Sequence, residues 1–230
     1  MYSLVSKVRK IIKRALYRPA SRLAGGTSPL IDKKGLMTLM DGHAYIHDDE
    51  IALFADMARK AKGTIVEIGC AFGASSSIFL AHSAKGVNLH SIDPFVQDSM
   101  RPFQATQEIC AKNVARILKW AHLSEKYSDW TQHPDYSFNV IKNWKEPVEM
   151  IFIDGDHNYE AVKGDYRDWF PVVKKGGYIL FHDSRKEVGS PTDTFNRGWA
   201  GPTKFVAELK SLSDVTLVRE AFSVTVWQKN

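Results

Sequence analysis

A short β-branched run, Thr64-Ile65-Val66-Glu67-Ile68, stands between Gly63 and Gly69 and leads directly into a helical segment. A run that brief, β-branched and bounded by glycines, reads as a buried strand. The same unit then recurs. Ala74–Ala84 predicts a helix, Val87–Asp93 a second strand, and Arg101–His122 a long helix with Cys110, Val114, Ile117, Leu118 and Ala121 inward. Val148–Asp154 returns to strand, and Tyr159–Val173 reads as a helix closed by Gly176-Gly177. Gly177–Asp183 is another strand, Pro202–Ser211 a helix, and Val215–Arg219 with Ser223–Gln228 a terminal hairpin. Ahead of them all, Asp48, Asp49 and Glu50 suit the positive end of a helix whose buried stripe is Ile51, Phe54, Ala55 and Ala58. Strands alternating with helices predict an α/β fold, a mostly parallel sheet covered on both faces. Residues 123–147, rich in aromatics, show no clear period.

Composition narrows the class. With 230 residues, 44% of them hydrophobic, the chain suits one α/β domain and excludes disorder. No apolar run is long enough for a spanning helix. The net charge of +5 is uneven, because residues 1–31 hold Lys7, Arg9, Lys10, Lys13, Arg14, Arg18 and Arg22 and no acid. The remainder carries 24 basic against 26 acidic side chains, a net of −2. Leu4, Val5, Val8, Ile11, Ile12, Ala15 and Leu16 fall on one helical face, the cations take the other, and Pro19 ends the pattern. Residues 1–35 therefore read as a basic amphipathic arm and linker, and residues 36–230 as a single domain. Such an arm, over residues 4–16, suits an anionic membrane surface; the alternatives are a helix docked on a partner subunit or a poorly ordered tail. The slightly acidic body carries no nucleic-acid recognition pattern, so no specific nucleic acid is expected. Charges at positions 7 to 14 argue against a secretory signal. Cys70 and Cys110 form neither a disulfide framework nor metal-ligand spacing. Together these point to the cytoplasm, with a peripheral place at the inner membrane face, and leave the oligomeric state open.

The loop after the first strand runs Glu67-Ile68-Gly69-Cys70-Ala71-Phe72-Gly73. Glycines there allow close backbone approach, and the following helix offers free N–H groups. Dinucleotide folds need Gly-x-Gly-x-x-Gly, whereas this chain has Gly-x-x-x-Gly behind a glutamate, which disfavours a pyrophosphate-bearing cofactor. The pattern resembles motif I of class I methyltransferases that use S-adenosylmethionine. That resemblance implies a Rossmann-like class I methyltransferase fold, with Glu67, Gly69 and Gly73 touching the methionine part of the cofactor. It also implies that Asp93, ending the next strand, accepts hydrogen bonds from the ribose hydroxyls. The plainer reading makes the loop an ordinary strand-to-helix turn and Asp93 a helix cap.

The second half holds Ile153-Asp154-Gly155-Asp156-His157-Asn158-Tyr159-Glu160, then Gly176-Gly177-Tyr178-Ile179-Leu180-Phe181-His182-Asp183. If the two strands are neighbours, Asp154 and Asp183 open into one crevice, a hard divalent site with His157 as a base beside it. Without metal, the two carboxylates would cap loop amides. Over residues 47–228 the sequence resembles metal-dependent O-methyltransferases, including macrocin-type sugar methyltransferases and cephalosporin-hydroxylase-like proteins. The resemblance implies that Asp154 and Asp183 ligate Mg²⁺ or another divalent cation and that His157 takes the proton of an acceptor hydroxyl. The acceptor it implies is a sugar, a glycan or a related natural product. A same-fold enzyme of different chemistry and a non-catalytic membrane-associated module are the competing classes. One departure stands out, because Asp183 is flanked by His182 and Ser184 where related sites usually add an acid or amide. His182 either completes the site or points into the core on the opposite face of the strand, and strand alternation favours the second. Asp156 reads as a turn or cap residue. Residues 184–202 read as either a lid or a surface loop, with Phe195 and Trp199 over an acceptor and Arg185, Lys186 and Arg197 for a negatively charged one. Cys70 reads as a small packed residue rather than a nucleophile.

Overall fold

Strand β1 (Thr64–Ile68) is buried from Ile65 onward, its apolar residues in the core and Glu67 buried with them. Around it the computed structural model describes residues 31–96, 104–185 and 198–230. The helices are α1 (Lys33–Leu39), α2 (Asp48–Lys60), α3 (Ala74–His82), α4 (Gln107–Trp120), the single turn α5 (Ser137–Val140), α6 (Tyr159–Trp169) and α7 (Ala200–Leu209). The remaining strands are β2 (Leu89–Ile92), β3 (Trp130–His133), β4 (Val148–Ile153), β5 (Val173–Phe181), β6 (Val215–Ala221) and β7 (Val224–Lys229). They form one seven-stranded sheet in the order β3-β2-β1-β4-β5-β7-β6. Strands β1 to β5 are parallel, while β7 runs antiparallel to both β5 and β6. The expected α/β class and the closing hairpin are both present.

Side-chain alternation along the central strands builds two cores. Met150, Phe152 and Leu180 face α2, α3 and α4, where Phe54 lies 4.8 Å from Phe152 and 5.4 Å from Phe79 between ring centres. Ile151, Ile153, Ile179 and Phe181 face the other way, onto Trp169, Phe205 and Trp227. Truncating Phe152 to alanine in so filled a layer would cost about 3–5 kcal/mol.

Four boundaries differ from the expected ones. The linker ends earlier, because Asp32 accepts a bond from the Gly35 amide and caps α1, which buries Leu36 and Leu39. The illegible aromatic stretch hides the edge strand β3, whose short length and partly exposed faces leave no period to read. Helix α4 begins at Gln107, under the side-chain cap of Thr106; residues 101–103 of the expected helix lie outside the described residues. Strand β5 starts at Val173 and takes Gly176-Gly177 into itself across a register shift against β4, so the glycine pair does not separate helix from strand. The arm over residues 4–16 also lies outside the described residues, as do Lys186, Phe195 and Arg197.

Candidate active site

The order of strands reverses at β1, which has β2 on one side and β4 on the other. In open α/β sheets a crevice opens at the carboxyl ends of such strands. Gly69, Asp93, Asp154 and Asp183 all sit at that edge, just beyond β1, β2, β4 and β5 respectively. The adjacency that the carboxylate pair requires is therefore met.

Gly69 takes φ +88°, and a Cβ there would stand 2.1 Å from the Asp154 carbonyl oxygen. No side chain fits, so the β1 loop lies directly on the end of β4. Gly73, at φ +83°, is the N-cap of α3, and its added Cβ would meet Val114 at 2.8 Å and the Cys110 sulfur at 3.1 Å. Helix α3 thus starts with no side-chain cap, the condition under which its first amides can meet a ligand. Asp93 accepts from the Ala71 amide through Oδ2 and from the Phe95 amide through Oδ1, both at 2.8 Å. It ties the β1 loop to the end of β2 and keeps further lone pairs on a partly exposed carboxylate.

Glu67 differs from the contact that the resemblance implies. It is 0% exposed, and its two oxygens accept from the hydroxyls of Ser75, Ser76 and Ser91. Burial pushes its pKa up to about 7 against those three bonds, with Asp154 adding to the rise. The side chain braces the loop from behind.

At the other end of the crevice four side chains converge. His157 Nε2 lies 3.2 Å from Asp183 Oδ2 and 3.6 Å from Asp154 Oδ1. His182 Nδ1 lies 3.0 Å from Asp154 Oδ1 and 3.5 Å from Asp183 Oδ2. One ligating atom from each of the four falls within 4.8 Å of the others. Two carboxylate oxygens and two imidazole nitrogens so arranged match the donor set of a divalent cation. His157 Nε2 supplies the decisive observation, since it is buried yet makes no hydrogen bond of acceptable geometry despite two nearby carboxylates. Asp183 itself adopts φ +49°, a left-handed turn that ends β5 and swings its carboxylate back over the strand ends.

His182, one residue past β5, keeps the strand's alternation, since its ring packs on Phe54 and Phe152 on the same side as Leu180. The ring is 6% exposed, as expected for a core-facing residue, and from that face its Nδ1 also reaches the carboxylate cluster. Behind it stands Glu50, 1% exposed, whose Oε2 lies 3.4 Å from His182 Nε2. Glu50 also accepts from the His47 amide at 2.8 Å and, through Oε1, from the amide and hydroxyl of Ser223. Burial opposes the charge on Glu50, yet its bonds to His182, Ser223 and His47 bring its pKa below the ordinary value. For His157, burial is outweighed by Asp154 and Asp183, and the pKa rises to about 9. Asp183 falls well below the usual carboxylate range, because its contacts to His157 and His182 overcome burial.

Glu50 and Ser223 escaped the sequence reading. Asp48, Asp49 and Glu50 look alike as helix-opening acids, and only the His47-x-x-Glu50 capping box marks the third as different. Trp199 stacks on His157 with ring centres 5.1 Å apart and remains 59% exposed at the mouth of the site. Asp156 accepts from the Asn158 amide, the expected turn role. Cys70 is buried 3.8 Å from the Cys110 sulfur, and that contact with its burial holds the thiol well above its ordinary pKa.

Comparison with known proteins bears on this arrangement. A family described as a methyltransferase domain matches residues 66–184. An uncharacterised protein of Acanthamoeba polyphaga mimivirus is 27% identical over 151 residues; the match spans 64% of this chain and 63% of that protein, under two thirds of its length. Among solved structures, an O-methyltransferase from Bacillus cereus in complex with SAH aligns with TM-score 0.60 and 13% identity over 97% of each chain. The O-methyltransferase TomG from Streptomyces achromogenes, involved in tomaymycin synthesis and solved with SAM, aligns with TM-score 0.56 and 18% identity over 80% of this chain and 81% of its own. Likeness at such identities is a likeness of fold, and it matches the strand order described above. With the family match covering more than half of its length, the chain belongs to the methyltransferase-domain family and has the class I methyltransferase fold.

Proposed function

We propose that the protein is an S-adenosylmethionine-dependent O-methyltransferase, assisted by a divalent cation and acting on a hydroxyl of a sugar, glycan or related natural product. The observation that carries this reading is the convergence of Asp154, His157, His182 and Asp183 beyond β4 and β5, at the same sheet edge as the Gly69 loop after β1 and Asp93 after β2. S-adenosylmethionine supplies an electrophilic methyl on a sulfonium, and a divalent cation supplies positive charge that makes an acceptor hydroxyl more acidic. Asp93 would take the ribose hydroxyls, and the Gly69–Gly73 backbone with the uncapped start of α3 would meet the methionine part. Asp154 and Asp183 would hold the cation; Mg²⁺ is the ion that the resemblance implies. His157 lies against both carboxylates, in reach of a proton leaving an acceptor at their edge. Fixing donor and acceptor at adjacent strand ends supplies the proximity on which a methyl transfer depends. Trp199 offers an exposed indole face over His157, a platform for the apolar face of a sugar ring.

The basic arm suggests where such an enzyme works. Its cationic amphipathic pattern supports attachment to an anionic membrane surface from the cytoplasmic side, close to surface glycans or their lipid-linked precursors. No helix among the described residues is long and apolar enough to cross a membrane. Transfer of labelled methyl from S-adenosylmethionine to a panel of sugars, glycans and phenolic hydroxyl compounds, with and without chelator, tests the whole reading. Cation-dependent labelling of a saccharide is the expected result. Labelling unaffected by complete chelation overturns the role of the cation, and methylation confined to non-saccharide acceptors overturns the acceptor class.

A further inference from the structure

Glu50 lies outside the matched family segment, on the helix that precedes β1, yet its carboxylate is buried against the crevice. Its Oε1 is committed to the amide and hydroxyl of Ser223 in the β6–β7 turn, while Oε2 meets the His47 amide and the Nε2 of His182. The opposite nitrogen of the same ring, Nδ1, points at Asp154 Oδ1 and Asp183 Oδ2. A carboxylate that accepts from one ring nitrogen selects the tautomer in which the other carries a free lone pair. Histidines that ligate metals are oriented and made more basic in this way, by a carboxylate behind them.

We propose that His182 is a nitrogen ligand of the cation site, that Glu50 is its positioning residue, and that the site therefore prefers a first-row transition cation to magnesium. The inference rests on the cation-assisted reading above and deepens it. Hard oxygen-only sites suit Mg²⁺, whereas imidazole donors favour the later first-row ions. His182 lies beside Asp183 just past the end of β5, and its buried ring has both nitrogens partnered, Nδ1 toward Asp154 and Nε2 toward Glu50. Ser223 and His47 close the remaining valences of Glu50, so that the terminal hairpin and the entry to α2 jointly hold one ligand in place. His182 ring contacts with Phe54 and Phe152, at 6.4 and 5.9 Å between centres, fill the sides of the pocket.

The test is cobalt binding by the full chain after chelator treatment, followed by visible absorption and calorimetry. The wild type is expected to bind Co²⁺ in the presence of excess Mg²⁺ and to show absorption bands shaped by an imidazole donor. His182→Ala should weaken Co²⁺ binding by about 10- to 100-fold and shift the bands, and Glu50→Gln should shift them in the same direction with a smaller loss. Ser223→Ala, which removes one of two partners of Oε1 and keeps the Ser223 amide bond, should shift the cobalt bands less than Glu50→Gln does. If Glu50→Gln does not fold, nitrogen-15 NMR of the zinc-loaded wild type decides, with His182 expected to carry its proton on Nε2. A proton on Nδ1 overturns the proposal. So does a wild-type cobalt spectrum in His182→Ala while Asp183→Asn has lost Co²⁺, a result that keeps the cation site and removes only its nitrogen ligand. Failure of the wild type to take up Co²⁺ while S-adenosylhomocysteine still binds removes the cation altogether and leaves the methyltransferase reading standing.

Discussion

His157 carries two consequences that separate at different pH values. Its folded pKa of about 9 exceeds the ordinary 6.5, so between those values the folded chain holds a proton that the unfolded chain has released. Stability from this group is complete below pH 6.5 and is lost as the pH rises through 9. The metal-free protein should therefore melt at a lower temperature at pH 9 than at pH 7, and His157→Asn should flatten that slope in a thermal scan. If His157 is the proton acceptor proposed above, the same substitution should lower kcat by roughly 10²–10⁴ while S-adenosylhomocysteine affinity stays at its wild-type value. Glu67 gives a second pH signature. Its folded pKa of about 7 lies above the ordinary 4.5, so folded protein keeps the proton longer and loses stability as pH climbs through that window. Glu67→Gln carries no such cost, and urea unfolding should show it gaining on the wild type between pH 5 and pH 8.

At the scale of elements, the β1–α3 turn joins fold and chemistry. Gly73 caps α3 at φ +83° and lets the helix settle on Val114 of α4. Gly73→Ala should destabilise the protein by about 1–3 kcal/mol in urea titrations and weaken S-adenosylhomocysteine binding together with it. This turn was legible in the sequence because strand, glycine and helix signals are local and agree. The same holds for Asp154 and Asp183, each at the end of a strand whose apolar run is plain. Edge strand β3 was hidden because its four residues lie half-exposed among aromatics that follow no period. Helix α1 was hidden because its seven residues follow a stretch rich in glycine and proline, and only the Asp32 cap announces it. The link from Glu50 through His182 to the carboxylates was hidden for a different reason. Alternation holds only while the backbone stays extended, and Asp183, turning at φ +49°, brings its carboxylate within 3.5 Å of the core-facing His182 ring. Glu50 meets Ser223 across 173 positions of sequence, a contact that no local pattern encodes.

For the whole molecule, the two cores and the single sheet leave the cationic arm as a separate question. The chain after residue 31 is nearly neutral, so any strong attraction to anionic surfaces belongs to the first residues. A shortened protein should begin no later than Ser28, because Ile31 is already buried in the core. The full chain is expected to float with anionic vesicles at low salt and to be released at high salt, while the shortened protein stays in the dense fraction. Equal flotation of the two would remove the arm from any membrane role.

The central claim is that the crevice beside β1 takes S-adenosylmethionine, and calorimetric titration of the full chain with S-adenosylhomocysteine tests it most directly. Saturable binding to the wild type is predicted, weakened about tenfold or more in Asp93→Asn through loss of a charged acceptor. A wild-type titration with no heat of binding under conditions where the protein is folded would contradict it.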